Sequence, residues 1–191
     1  DSWPLIDDSQ GWISKAALTR AKKMLERFSV FHAKSLADND RTVAGVEKSF
    51  EITVGRALIR GNVDRIEVDS AGKHFIIDFK TGKKEISGDD AKSNLQLACY
   101  QLGVVLDGFE EKLKSTEVLG AQLVYLASKN KSYSTREQDA LVDVEATTAI
   151  LEEIAVGMGA ATFTARKNDM CKQCKVKPSC PLYLEGKAVH Q

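Results

Sequence analysis

Between Ser14 and about Lys34, apolar residues recur at Ala17, Leu18, Ala21, Met24, Leu25 and Phe28, spaced by three and four, which predicts an amphipathic helix. The polar stretch Asp38 to Thr42 ends it, and the period then falls to two. Val46, Phe50, Ile52 and Val54 alternate with polar neighbours, as in a half-buried strand. Gly55-Arg56 separates this strand from a second over Leu58–Val68, in which Gly61 marks a candidate bulge. After the turn-forming Asp69-Ser70-Ala71-Gly72, Phe75–Phe79 reads as a third strand closed by Thr81-Gly82, so the three make a meander. Asp89 to Leu106 predicts a helix with Leu95, Leu102 and Leu106 inward. Leu119 to Ala127 is apolar on both parities, as in a strand covered on both faces. A last helix spans roughly Glu145 to Met158. The order α-β-β-β-α-β-α predicts an α/β fold, a mixed sheet flanked by helices.

Composition narrows the class. The chain has 191 residues, 43% hydrophobic and 28% charged, enough for one domain with a real core. No run approaches the roughly 18 apolar residues of a membrane span, and no amino-terminal signal is visible, so a cytoplasmic protein without a membrane partner is expected. Lysine plus arginine and aspartate plus glutamate each number 27, so no overall field attracts nucleic acid, although a local basic groove is still allowed. The chain begins with Asp1, as a piece of a longer protein would.

The predicted hairpin carries the chemistry. Residues two apart in a strand share a face, so Asp78 and Lys80 project together, away from Phe75, Ile77 and Phe79. A turn through Ser70, Ala71 and Gly72 pairs 69 with 73, and therefore Asp64 with Asp78. Opposed Cβ atoms in such a pair lie about 4.5–5.5 Å apart. Two carboxylates so close repel unless a proton or cation lies between them, and a hard divalent metal with oxygen ligands meets that need. Lys80 beside it could lower the pKa of a bound water or stabilise charge on a phosphate. The alternative is a surface ion pair without function. Against it stands the apolar setting, Phe75-Ile76-Ile77 before the acid and Phe79 after it, which implies a partly buried carboxylate.

Gly61-Asn62-Val63-Asp64-Arg65-Ile66, Ile76-Ile77-Asp78-Phe79-Lys80-Thr81-Gly82 and Gln96-Leu97-Ala98-Cys99-Tyr100 together resemble the motifs of the PD-(D/E)xK nuclease superfamily in its RecB-like branch. The resemblance implies a restriction-endonuclease-like core. It also implies Asp64 and Asp78 as ligands of Mg²⁺ or Mn²⁺, Lys80 as the catalytic lysine, and Gln96 and Tyr100 as a pair facing the site from a helix. Glu47 is similar to the family's acid on the first strand, although a solvated strand glutamate reads the same way. Residues 1–44 would then be a supporting segment, 45–165 the nuclease core and 166–191 a cysteine-rich end.

Cys171, Cys174 and Cys180 have a C-x2-C-x5-C spacing that argues for metal or an iron–sulfur cluster before disulfides in a cytosolic protein. They resemble the terminal cysteine trio of the iron–sulfur nucleases of this superfamily, whose fourth ligand lies far upstream. This chain has no cysteine there, so an incomplete 4Fe–4S set is expected, with zinc bound by the trio plus water or His190 as an alternative. Cys99 reads as a core residue. Many RecB-like nucleases also carry a metal-binding histidine well upstream of the strand acid. Here His32 precedes Glu47 by only fifteen residues, His74 opens the third strand and His190 is terminal, so that histidine is expected to be missing.

The functional expectation is a Mg²⁺- or Mn²⁺-dependent deoxyribonuclease, acting on single-stranded DNA as an exonuclease. It would be the carboxyl-terminal domain of a bacterial helicase-nuclease for double-strand-break repair, attached to a helicase motor and possibly joined by a second helicase-nuclease subunit. Arg60, Arg65, Lys83, Lys84, Arg166, Lys167, Lys172, Lys175 and Lys177 are the candidate phosphate contacts. The alternatives are a non-catalytic DNA-guiding module on the same fold and a stand-alone CRISPR-adaptation nuclease.

Overall fold

The long helix α1 (Gly11–Asp38) turns one stripe to the protein, in which Met24 and Phe28 are partly buried and Phe31 and Ser35 fully so. Leu25, expected on that stripe, is 65% exposed. The molecule is described here from a computed structural model, covering residues 2–7, 9–38, 40–161 and 164–183. His190 lies outside the described residues.

Strands β1 (Arg41–Val54), β2 (Ala57–Asp69) and β3 (His74–Lys80) form the expected meander. Strand β4 (Val118–Tyr125) then pairs parallel to β3, and β5 (Ser134–Asp139) antiparallel to β4, closing a five-stranded mixed sheet in the order β1-β2-β3-β4-β5. Strand β5 was not predicted, because Ser134-Thr135-Arg136-Glu137-Gln138-Asp139 has no apolar alternation. Gly61 is no bulge: it pairs with Phe50 in an even ladder, and the register shift falls between Val43 and Gly45. Gly61 is needed because a Cβ there would lie 2.7 Å from the Phe50 ring.

The predicted second helix is two helices, α2 (Gly88–Lys92) and α3 (Leu95–Val105). Asn94 caps α3 by accepting from Leu97 N–H at 3.0 Å. Carbonyls at the break are also met by a buried side chain of β5, as Gln138 Nε2 donates to Ala91, Lys92 and Asn94 oxygens at 3.0–3.1 Å. Of the expected inward leucines only Leu102 is buried, since Leu95 and Leu106 are 40% and 41% exposed. The interior of α3 is instead Leu97, Ala98, Gln101, Leu102 and Val104. Helix α4 (Val144–Gly159) agrees with its predicted span.

Two apolar clusters occupy the two sheet faces. Ile76 joins Phe50, Val63, Leu97, Leu102 and Leu123 in the larger, whereas Phe75, Ile77 and Val124 pack with Phe31 of α1 in the smaller. The alternation read along β3 is therefore real.

His74 is fully buried, neither ring nitrogen makes an aligned hydrogen bond among the described residues, and desolvation lowers its pKa from the ordinary 6.5 against the opposing pull of the Glu117 backbone. The unfolded chain takes up this proton as pH falls below about 6.5 while the folded chain does not, so its effect is absent above that pH and destabilises below it. Urea midpoints should fall from pH 7.5 to pH 5.5, and fall less in His74→Leu; equal slopes in both would refute the assignment.

Candidate active site

One step beyond the last β2–β3 ladder pair, Arg65↔Ile77, come Asp64 and Asp78, in the register expected from the turn. The ladder opens here. Phe79 N–H donates to Asp64 Oδ2 at 2.7 Å in place of a backbone bond. Burial raises the pKa of Asp64 above its ordinary value despite that bond, and the neighbouring charges of Asp78 and Glu47 push the same way. Asp78 is 3% exposed.

Helix α3 supplies the other side. The break at Ser93-Asn94 places Gln96 in its first turn, where Nε2 donates to Asp78 Oδ1 at 3.0 Å and to Tyr100 Oη at 2.8 Å. Tyr100 Oη donates to the same Asp78 oxygen at 3.3 Å. Lys80 Nζ donates to Gln96 Oε1 at 2.7 Å and lies 2.8 Å from Asp78 Oδ2. That second contact is an ion pair without hydrogen-bond alignment, so the buried Asp78 Oδ2 makes no aligned hydrogen bond among the described residues. Asp64, Asp78, Lys80, Gln96 and Tyr100 are thus one connected group.

Glu47 faces Asp64 where the β1–β2 ladder is interrupted, between the pairs Val46↔Arg65 and Lys48↔Val63. Its φ of 48° lies in the left-handed region, which a β-strand glutamate adopts only under constraint. Glu47 and Asp64 line one cavity together with Phe28, His32, Val46 and Phe79. His32, one of the three histidines weighed in the sequence, therefore borders the same cavity as Glu47 and Asp64. Its signal was the helical stripe itself, since His32 follows Phe28 by four residues.

A sequence profile of the PD-(D/E)XK nuclease superfamily matches residues 1–181. The chain belongs to the PD-(D/E)XK nuclease superfamily. The five-stranded mixed sheet flanked by helices is consistent with its restriction-endonuclease-like core. A solved structure titled "Crystal structure of SSO0001" is 20% identical over 84% of this chain and 69% of that one, with a TM-score of 0.46. No curated protein sequence matches the chain.

The basic residues of this superfamily member divide. Arg65 is 3% exposed and tied to Glu67, so it is withdrawn as a phosphate contact. Arg60 is exposed but paired with Glu51. Lys83 and Lys84 are exposed just after β3, and Lys83 lines a cleft with Arg20, Lys23 and Arg27 of α1. Arg166, Lys167, Lys172, Lys175 and Lys177 are exposed in the tail.

Cys171, Cys174 and Cys180 are free thiols joined by short turns, and all three influence Tyr183. Burial and these neighbours hold that phenol above its ordinary pKa. Cys99 packs against the larger cluster, and burial pushes its thiol up, opposite to what a thiolate ligand needs. Among the described residues, no three His, Cys, Asp or Glu side chains are gathered as a metal cage.

Proposed function

We propose that this domain is a metal-dependent DNA nuclease whose active site is the hairpin pair Asp64 and Asp78 with Lys80, Gln96 and Tyr100. One observation carries the reading: a buried carboxylate oxygen, Asp78 Oδ2, without an aligned hydrogen bond among the described residues, set beside a second acid whose pKa is raised by burial and, to a lesser degree, by the charge of Asp78. Such an arrangement fits a hard divalent cation held by Asp64 and Asp78, with Glu47 across the open ladder as an outer acid. When bound, Mg²⁺ or Mn²⁺ would polarise the phosphodiester and make water more acidic.

The chain's own groups do the rest. Gln96 and Tyr100 hold Asp78 Oδ1 in place, leaving Oδ2 directed at Lys80. Lys80, 32% exposed at its side chain, lies at the open side of the cluster, between buried Asp78 and exposed Gln96. It can stabilise charge developing on the phosphate or orient the attacking water. The RecB-like motif string supports a single-stranded substrate cut from an end and delivered by a helicase motor. Lys83, Lys84, Lys172 and Lys175 are the remaining proposed backbone contacts. The cysteine trio around Tyr183 supports an iron–sulfur or zinc anchor completed by a ligand beyond the described residues.

The test is degradation of end-labelled single-stranded DNA with Mg²⁺, Mn²⁺ or chelator, by this chain and by Asp64→Ala. Metal-dependent cleavage lost in the variant is expected. Cleavage that survives chelation, or is equal in the variant, would sink the site. The same protein purified without oxygen should carry iron or zinc, and metal-free protein would remove the anchor.

A further inference from the structure

Four of the nine residues lining the cleft between α1 and the segment after β4 are basic and none is acidic, in a chain whose basic and acidic residues balance at 27 each. Arg20, Lys23 and Lys83 are exposed there, and none of them is ion-paired among the described residues. Glu85, two residues past Lys83, is taken by Arg136. Arg27 forms the wall. Its guanidinium donates to the carbonyls of Leu126, Ser128 and Asn130 at 2.6–3.0 Å, which satisfies its N–H groups and leaves its charge uncancelled. Lys23, four residues before Arg27, is a like-charge neighbour that weakens the helix, and no ion pair among the described residues offsets it.

The cleft lies beside the proposed active site. Lys80 pairs with Tyr125 in the β3–β4 ladder, and Lys83 and Ser128 of the cleft each stand three residues beyond that pair. Three residues span at most about 11 Å, so Lys83 is no farther than that from Lys80 along the chain. A stacked DNA strand advances about 3.4 Å per nucleotide, so one strand reaches both within about three nucleotides. The cations are exposed and come from two different elements, which suits a polyanion lying along the cleft more than a small anion enclosed in it.

We propose that this cleft binds the phosphates of the single DNA strand being cut, within about three nucleotides of the scissile bond, through Arg20, Lys23 and Lys83. This deepens the nuclease reading and rests on it for the placing of the scissile phosphate. Contacts of this kind hold the strand in register without reading its sequence.

Anisotropy of a labelled oligothymidylate, titrated with protein in chelator across a salt series, reads binding without cleavage. Removing two phosphate contacts in Arg20→Ala/Lys23→Ala should reduce the slope of log K against log salt by about 1.4, a loss of about 25-fold at ~0.1 M relative to ~1 M. Both side chains are exposed and alanine is the best helix former, so the variant keeps its fold. Lys15→Ala/Lys22→Ala removes the same charge from exposed positions of α1 outside the cleft and should cost about threefold or less. With Mn²⁺, KM for a strand of about six nucleotides should rise in Arg20→Ala/Lys23→Ala, because so short a strand meets the cleft only if the cleft adjoins the cut. Equal affinity in the two variants, no binding by the parent, or an unchanged KM for the short strand would overturn the proposal. A parent that binds through the cleft and never cuts would remove the nuclease reading and leave the phosphate cleft, whereas a parent that cuts while both variants bind alike would do the reverse.

Discussion

Replacing Lys80 by glutamine is expected to lower the cleavage rate about 10²–10³-fold while leaving Mn²⁺ affinity within a few-fold. The size follows from losing one preorganised charge aimed at developing negative charge in a half-buried site. Glutamine is the informative replacement because its amide still reaches toward Gln96 Oε1, the partner that Lys80 holds at 2.7 Å. Both replacements remove the cation beside Asp78, but alanine would also leave Gln96 Oε1 and Asp78 Oδ2 without a polar neighbour there, so a loss of rate could then report a disturbed fold. Single-turnover cleavage paired with calorimetry separates the outcomes. Retained metal binding with a lost chemical step gives Lys80 the proposed role, and an unchanged rate would remove it.

The second large effect concerns the acid at the centre of the network. Asp78→Asn keeps an oxygen for Gln96 Nε2 and Tyr100 Oη to meet, but replaces the unaligned Oδ2 with an amide that cannot ligate a hard cation. With metal at about a hundred times its Kd, the parent gains about 2.7 kcal/mol of stability, which for a domain of this size is a rise in Tm of roughly 5–10 °C. In Asp78→Asn that rise should vanish, and cleavage with it. A variant that keeps the Mn²⁺-induced rise would show that the cation binds elsewhere.

The legible parts of this molecule were those decided by period and turn. The β2–β3 hairpin was readable because a short turn fixes register, and a register error of one residue would have sent Asp64 to the wrong face. Gln96 and Tyr100 were readable through their spacing of four on one helix. What escaped depended on distant partners. The break between α2 and α3 is stabilised by Gln138, 44 to 47 residues away, on a strand that lacks any apolar alternation. Arg65 reads as a surface base in isolation, and only the fold shows it buried against Glu67 and His32. His32 was discounted on its distance from Glu47 along the chain, a measure that says nothing once α1 lies across the sheet.

The hairpin has a consequence for how the domain is assembled. Contacts between residues close in sequence form first, because less loop entropy is lost in closing them. Asp64 meets the strand bearing Asp78 across a separation of 15 residues, while the ties from Arg27 of α1 to the segment after β4 span 99 to 103. The parallel pairing of β3 with β4 also waits for the α2–α3 crossover. Two acids are therefore brought side by side early, before the helix that carries His32 is anchored. Until then their repulsion opposes the nucleus, so a divalent cation in the refolding buffer should raise the folding rate as well as the final stability. Stopped-flow refolding with and without Mg²⁺ separates the two, and a cation that slows only unfolding would place the meeting of the acids after the rate-limiting step.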